Sequence, residues 1–231
     1  LGVSAQESLM EELSTLDERR SKIAMELGRD FLEHAKQRAA LAGITQLDAR
    51  QRHGTLVTTL VEMESELRLA VLGPHLHDKT LPRHHLDHTV ENVVRSVRAP
   101  VLLADREYAE PRRFAVAFDG SSTGRKMIQT LATTPLLREL SSSIVMASEG
   151  TPQANAQADW ARTILSQGGF SPEVSIVDGN AEEVLQAHVR EHHVDLLVMG
   201  AYGHSRIREL IVGSTTTTML RTSEVPVLIL R

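Results

Sequence analysis

Apolar runs of similar length recur in the two halves of the chain. In the second half, Val194–Gly200 forms one run that ends in glycine, and Val225–Leu230 forms another. The first half holds a matching pair at Leu67–Gly73 and Ala99–Ala104. The distance from that glycine to the proline of the following apolar run is 27 residues in the first half (73 to 100) and 26 in the second (200 to 226). Apolar runs without polar alternation are typical of strands covered on both faces, so each half is predicted to end in a strand, a helix and a strand.

The match between the halves extends upstream. Gly179–Leu185 opens a predicted helix whose acidic residues lie in the first turn, where the helix dipole favours them, and Gly54–Val57 opens a helix in the first half. A short alternating segment precedes each of these glycines, at Pro172–Val177 and at Ile44–Ala49, and is predicted to be a strand. The two halves are therefore interpreted as two copies of one series of βα units.

The two copies differ at their beginnings. The second has two further predicted strands, Arg113–Gly120 and Ser143–Ser148, so that five strands alternate with four helices. In their place the first copy has a polar-rich helical pattern over Leu1–Gly43. A sheet without two of its strands would expose an edge that proteins normally cover, so the pattern favours a missing segment of about two strands and a helix. We predict an α/β protein with parallel sheets and two domains, an incomplete one over residues 1–107 and a complete one over residues 108–231.

Composition and charge exclude some classes of molecule as binding partners of the protein. The chain of 231 residues has 41% hydrophobic and 24% charged residues, which is an ordinary globular composition. Lys and Arg number 25 against 30 Asp and Glu, for a net charge of -5, whereas a nucleic-acid partner usually requires a basic face. The absence of cysteine fits a reducing compartment, and no apolar run approaches the ~18 residues of a membrane span. We therefore expect a soluble cytoplasmic protein that binds neither nucleic acid nor membrane.

Gly200, which ends an apolar run, is the first of a set of spaced glycines. Gly200, Gly203 and Gly213 are separated by two and nine residues, and Ser214 follows directly. A glycine at the carboxyl end of a parallel strand lets a ligand approach the backbone, and open α/β sheets bind ligands at that end. The turn at Gly213 precedes a predicted helix, whose free N–H groups and positive dipole end attract phosphate. The sequence thus predicts a binding site for a polyphosphate group between Gly203 and the start of this helix.

With these residues, the chain resembles a tandem universal stress protein of the UspA superfamily. The resemblance implies two Rossmann-like domains with five-stranded parallel sheets, of which the first is incomplete in this chain. It implies that the second domain binds ATP, with Mg²⁺ or Mn²⁺, as a regulatory ligand of the stress response without fast catalysis. It also implies that the last strands of two such domains pair. Val101–Ala104 and Val227–Leu230 can pair in this way within the chain as a pseudo-dimer, and further homodimerisation is compatible with that pairing.

The resemblance also assigns roles at the predicted ATP site. Asp119, near the end of the strand predicted at residues 113–120, would contact the ribose. Ala117 and Met199 would line the base, and the backbone near Ala147 would contact the adenine edge. The remaining residues would contact the ribose and the phosphates, and they are Gly200, Gly203, Gly213, Ser214, Thr215 and Thr216. No catalytic residue and no protein-bound metal is assigned.

The first half departs from the glycine pattern. Leu76 stands where a second glycine would follow Gly73. Counting 13 residues back from Pro100, as Gly213 stands from Pro226, gives Asp87, whose carboxylate would repel phosphate. We therefore expect no ATP site in the first half.

Three further patterns are interpreted as structural. Gly120–Lys126 resembles a phosphate-binding P-loop, but three residues separate its glycines instead of four, so it is predicted to be a Ser-capped helix start. Histidines cluster between His75 and His88, where a polar loop is favoured over a zinc or nickel site. Three histidines on a predicted helix are expected to be solvated, and they are His188, His192 and His193.

Two other functions remain open on sequence alone. An ATP hydrolase or phosphotransferase needs a base and charge stabilisation at the γ-phosphate, and only His204, Arg206 and Arg208 are close in sequence to the phosphate loop. None of the three has an evident partner, so slow hydrolysis is the most that they support. A nucleotide-free interaction scaffold is the second alternative.

Overall fold

The computed structural model describes residues 3–73, 88–104, 108–201 and 214–231. The chain divides into two compact units, Leu1–Gly54 and Thr55–Arg231. Within the described residues, no helix combines the length and the apolar character needed to cross a membrane.

The first unit is built on one long helix. Helix α1 spans Val3–Leu41 and confirms the helical pattern predicted for this part of the chain. None of the side chains described in this unit is buried. The strand predicted at Ile44–Ala49 is wrong, because residues 44–49 have no regular secondary structure. Its counterpart in the second half hydrogen-bonds to a single neighbouring strand, and the described residues of the first half contain no copy of that neighbour, so a strand at residues 44–49 has no pairing partner among them.

The second unit alternates strands and helices. Its elements in chain order are α2 (Leu56–Glu62), a 3-10 turn (Glu64–Glu66), β1 (Ala70–Leu72), α3 (His88–Ser96), β2 (Val101–Leu103), β3 (Arg113–Ala117), α4 (Ser122–Thr133), a 3-10 turn (Pro135–Leu137), β4 (Ser141–Ala147), α5 (Pro152–Gln167), β5 (Glu173–Val177), α6 (Ala181–Glu191), β6 (Leu196–Gly200), α7 (Ser214–Thr222) and β7 (Val227–Leu230). Apart from residues 44–49, each predicted strand overlaps an observed one, and β4 begins two residues before the predicted Ser143.

The seven strands form one sheet in the order β1-β2-β7-β6-β3-β4-β5. All neighbouring pairs are parallel except β2 and β7, which are antiparallel. In that pair Val101 lies opposite Ile229 and Leu103 lies opposite Val227. The predicted pairing of these two segments within the chain is therefore confirmed, and it joins strands from both halves of the sequence in one sheet.

Both faces of the central strands β6 and β7 are buried, which explains their uninterrupted apolar runs. Successive residues of β6 and β7 alternate between two hydrophobic clusters, so that Leu197 and Ile229 belong to one cluster while Val198 and Leu228 belong to the other. Buried residues of α3, α6 and α7 complete the first cluster, and buried residues of α4 and α5 complete the second. A helical layer on each face is the expected cover for parallel strands.

Polar residues before the helices act as caps. The Ser121 hydroxyl accepts a hydrogen bond from the backbone N–H of Gly124 (3.0 Å), which confirms that Gly120–Lys126 is a capped helix start. Asn180 caps α6 by accepting from two backbone N–H groups, at 2.9 and 3.3 Å. These side chains fix the points at which the helices begin relative to the strand ends.

His188 on α6 corrects one expectation. His192 and His193 are exposed as predicted, but His188 is buried, because α6 turns this face toward β4. Its Nε2 lies 3.0 Å from the Ser143 hydroxyl, and its ring stacks on His192 with centroids 4.2 Å apart. Burial lowers the pKa of His188 below the ordinary 6.5, since the charged form would lose its water, and the neighbouring His192 lowers this pKa further.

Acidification is therefore expected to destabilise the second unit through His188. Because Glu191 and Glu173 only partly oppose the lowering of the pKa, the unfolded chain binds a proton more readily than the folded one. The free energy of unfolding should fall as the pH decreases from 7.5 through 6.5. Urea denaturation at pH 7.5 and 5.5 measures this fall, which should be smaller in His188→Gln than in the exposed-residue control His193→Gln. Equal pH dependence in the two variants would contradict the assignment to His188.

Candidate functional site

The carboxyl ends of three neighbouring parallel strands meet at one edge of the sheet. Strand β3 lies between β4 and β6, and the last residues of the three are Ala117, Ala147 and Gly200. From β3 the chain continues to β4 and β5 on one side, and then crosses to β6 and β7 on the other. The order of strands therefore reverses between β3 and β6. Open α/β sheets form a ligand crevice at such a switch point, outside the carboxyl ends of the strands.

Asp119 stands on the β3 side of this crevice. Its side chain is exposed, and Oδ1 accepts a hydrogen bond from the backbone N–H of Ser121 (3.0 Å). Gly124 lies so close that a Cβ at this position would be only 2.6 Å from the same oxygen. Within the described chain, no hydrogen bond involves Oδ2. The carboxylate is thus held by one oxygen at the start of α4, and its second oxygen is not bonded by any described residue.

Gly200 and Met199 stand on the β6 side. Met199 is buried in the sheet, whereas Gly200 is half-buried. Among the described residues, the nearest atom to a Cβ built at Gly200 is Cγ2 of Thr123, 3.7 Å away, which is an ordinary van der Waals distance. The described residues therefore leave room for a methyl group at this glycine.

Helix α7 begins beside the end of β6. The hydroxyl of Thr216 lies 3.4 Å from the carbonyl oxygen of Gly200, and Thr216 is 5% exposed. This contact directs the Thr216 side chain toward β6, while Thr215 is half-buried. The first N–H groups of a helix have no intrahelical acceptor and carry its positive dipole end. The α7 terminus therefore brings its first N–H groups and its positive dipole end to the crevice edge.

The structure brings together most of the described site residues expected from sequence. Ala117, Asp119, Ala147, Met199 and Gly200 all lie at the end of β3, β4 or β6. Other expected residues lie outside the described part of the chain, namely Gly203, Gly213, the side chain of Ser214, and His204, Arg206 and Arg208. The same holds for the predicted histidine cluster from His75 to the side chain of His88, and for Asp87.

Sequence reasoning missed two positions at this edge. The backbone N–H of Ser121 orients Asp119, and Thr123 is the nearest neighbour of Gly200 across the crevice. The signal for both was the helix cap, because a cap directly after β3 places the first turn of α4 at the carboxyl end of that strand. Within the described residues, no group of three or more His, Cys, Asp or Glu side chains could hold a metal ion.

The fold and the crevice define an open α/β protein of the doubly wound, Rossmann-like class. Residues 111–231 match the model of the universal stress protein family. The chain is 32% identical over 233 residues to Universal stress protein Slr1230 of Synechocystis, covering 100% of this chain and 81% of that protein. The chain belongs to the universal stress protein family.

Other relatives cover less of the chain or share only its fold. Universal stress protein MJ0577 of Methanocaldococcus jannaschii is 27% identical over 81 residues, which are 35% of this chain and 50% of that protein. The crystal structure of a universal stress protein from Archaeoglobus fulgidus superposes with a TM-score of 0.68 at 18% identity, covering 89% of this chain and 76% of that chain. At this identity the similarity concerns the fold.

Proposed function

We propose that the chain binds ATP in the crevice between β3 and β6, as a regulatory ligand in a stress response, without fast catalysis. One observation carries this proposal: the reversal of strand order places Asp119, Gly200 and the start of α7 at a single crevice. The Asp119 carboxylate suits a ribose hydroxyl, the glycine allows a close approach to the backbone, and the N–H groups of a helix start suit a phosphate chain.

The nucleoside would lie across the ends of β3 and β4. Asp119 Oδ2 would accept a hydrogen bond from a ribose hydroxyl, because Ser121 occupies only Oδ1. Ala117 and Met199 would contact the base, and backbone groups near Ala147 would contact its polar edge. Short or apolar side chains at these strand ends leave room for a flat ring.

The phosphates would lie between β6 and α7. Gly200 and Gly203 would let them approach the backbone, and residues from Gly213 to Thr216 would offer N–H groups, with hydroxyls from Ser214 and Thr215. The Thr216 hydroxyl already contacts the Gly200 carbonyl, so this residue would act through its backbone and by fixing α7 beside β6. A Mg²⁺ or Mn²⁺ ion would be held mainly by phosphate oxygens and water, which is how Mg²⁺ commonly binds with nucleotides.

We further propose that residues 108–231 form a complete nucleotide-binding domain and that residues 1–107 form a degenerate one without an ATP site. The sequential order β1, α3, β2 repeats the order β6, α7, β7, which supports this correspondence. In this arrangement the first half acts as a scaffold, joined to the second by the pairing of β2 with β7. A cytoplasmic location and a further homodimer belong to the same proposal.

Nucleotide release and calorimetry test the ATP site. The purified protein is denatured and the supernatant examined by mass spectrometry, and the emptied, refolded protein is titrated with Mg-ATP. We expect close to one ATP per chain. Asp119→Ala should weaken binding about tenfold or more, through loss of a charged hydrogen bond. Asp178→Ala, which removes an exposed carboxylate just after β5, is the matched control and should bind as the unaltered protein does.

Three outcomes would contradict the proposal. No binding heat at several temperatures would favour the scaffold function. A stoichiometry near two would place a second site in the first half. Equal affinities of the Asp119 and Asp178 variants would remove Asp119 from the site.

A further inference from the structure

The first turn of α4 contains a glycine that its own backbone does not require. Gly124 is the third residue of this helix and is buried. Its φ lies outside the left-handed region that favours glycine, and its N–H donates to the Ser121 hydroxyl as in an ordinary helix cap. Alanine stabilises a helix more than glycine does, so a glycine at this position needs a reason outside the helix.

The space beside Gly124 is filled by two side chains that follow β3. A Cβ at this position would lie 2.6 Å from Oδ1 of Asp119, which is closer than such atoms approach one another. It would also lie 3.2 Å from the two nearest carbons of the Phe118 ring. The ring contact is tight, but a shift of a few tenths of an ångström relieves it, whereas the contact with Oδ1 needs a larger movement.

The Asp119 carboxylate is the group that would yield to a side chain at position 124. Phe118 is 3% exposed, and its ring stacks on Trp160, over which the Arg125 guanidinium lies 4.6 Å from the ring centroid. Asp119 is exposed, and its Oδ1 is held by the backbone N–H of Ser121 at 3.0 Å. Rotation of the Asp119 side chain away from a methyl group would break this bond and would turn Oδ2 away from its present direction.

We propose that Gly124 is a positioning residue that makes the nucleotide site selective for ribose over a sugar without hydroxyl groups. The missing side chain leaves the space in which Asp119 Oδ1 is held against α4, and Oδ2 is thereby fixed for a ribose hydroxyl. A hydrogen bond to a carboxylate is strong only when donor and acceptor are well aligned, so a displaced carboxylate would lose it. This role rests on the proposed ATP site.

Calorimetry with the magnesium complexes of ATP and of dideoxy-ATP, which lacks both ribose hydroxyls, measures this selectivity. The unaltered protein should bind ATP about tenfold or more tightly than dideoxy-ATP, because only ATP can donate a ribose hydroxyl to the carboxylate. In Gly124→Ala this preference should fall to about threefold or less, through weaker binding of ATP and nearly unchanged binding of dideoxy-ATP.

Gly73→Ala is the matched control for the added methyl group. Gly73 directly follows β1, outside the proposed ATP site, and the described residues place no atom within 4 Å of a Cβ built there. This variant should keep the full preference for ATP over dideoxy-ATP.

A double-mutant cycle with Asp119→Ala separates positioning from a general steric effect. If Gly124 acts through the carboxylate, Gly124→Ala should change ATP affinity less than about twofold once Asp119 has been replaced by alanine. Equal losses of ATP affinity with and without the Asp119 carboxylate would overturn the inference.

Three other results would also overturn it. The first is a Gly124→Ala protein that keeps the preference for ATP, and the second is an unaltered protein that binds the two nucleotides equally. The third is a Gly124→Ala protein that does not fold, as judged by circular dichroism, because the Phe118 ring and not the carboxylate would then resist the methyl group. If the unaltered protein binds neither nucleotide, the proposed ATP site fails together with this role, whereas ATP binding with an unchanged preference in Gly124→Ala rejects the role alone.

Discussion

Gly213→Asp is expected to weaken ATP binding at least a hundredfold while the protein stays folded. Gly213 immediately precedes α7 in the chain, and the proposed site places the phosphates at the start of this helix. Two like charges about 4 Å apart near a protein surface repel by roughly 4 kcal/mol, which corresponds to about a thousandfold in affinity. Aspartate is favoured just before a helix, so the substitution should not prevent α7 from forming. Calorimetry with Mg-ATP measures the loss, and the far-ultraviolet circular dichroism spectrum reports the fold.

Gly213→Asn is the matched control for this experiment. Asparagine has nearly the same size as aspartate and is equally favoured before a helix, but it carries no charge. The ratio of the two affinities therefore isolates the electrostatic part of the loss from the steric part. If the aspartate variant kept its ATP affinity, the proposed phosphate position would be wrong. Equal losses of ATP affinity in the two variants would show that the volume of the added side chain, and not its charge, weakens binding.

The strand ends of the candidate site could be predicted from sequence because they depend on local patterns. The apolar run at Val194–Gly200 identifies a strand buried on both faces, and its last residue must lie at the carboxyl edge of a parallel sheet. Asp119 follows β3 in the same way. The direction of the Thr216 hydroxyl could not be predicted, because it depends on how α7 packs against β6.

The error at residues 44–49 has a different cause. The alternating pattern there is as regular as the pattern of β5, but a strand forms only where a neighbour supplies its hydrogen bonds. Strand β5 pairs with β4 over five positions, from Glu173, which lies opposite Ser143, to Val177, which lies opposite Ala147. The described residues of the first half contain no copy of β4, and residues 44–49 have no strand structure. The local pattern therefore predicted a strand at residues 44–49, but the described residues place no neighbouring strand there to accept and donate its backbone hydrogen bonds.

The groups at the amino ends of the strands were also beyond local reasoning. His188 and Ser143 are 45 residues apart in sequence and meet only because α6 packs on β4. His188 was predicted to be solvated because charged residues surround it along the helix. Its burial is instead set by the face of α6 that turns toward the sheet. The same long-range packing buries the Ser142 hydroxyl without a hydrogen-bond partner among the described residues, which no spacing rule reveals.

Leu103→Ala is expected to destabilise the whole second unit, although Leu103 lies in the first half of the sequence. Leu103 is 6% exposed and lies opposite Val227 in the antiparallel pair of β2 and β7. Truncation of a buried leucine costs about 2–5 kcal/mol, through lost burial and the cavity left behind. If β2 folds together with the strands of the second half, this cost must appear wherever unfolding of the unit is observed.

Trp160 reports the unfolding of the unit at a position far from Leu103. It is the single tryptophan of the chain, it packs against the hydrophobic cluster on the face opposite to that of Leu103, and its ring stacks on Phe118 with centroids 6.2 Å apart. Its fluorescence during urea denaturation should shift to a lower midpoint in Leu103→Ala. Val71→Ala on the neighbouring strand β1 is the control, because Val71 is 59% exposed and its truncation should leave the midpoint nearly unchanged. An unchanged Trp160 midpoint in Leu103→Ala would show that β1 and β2 unfold separately from the strands of the second half. The scaffold role proposed for the first half would then lose its physical basis.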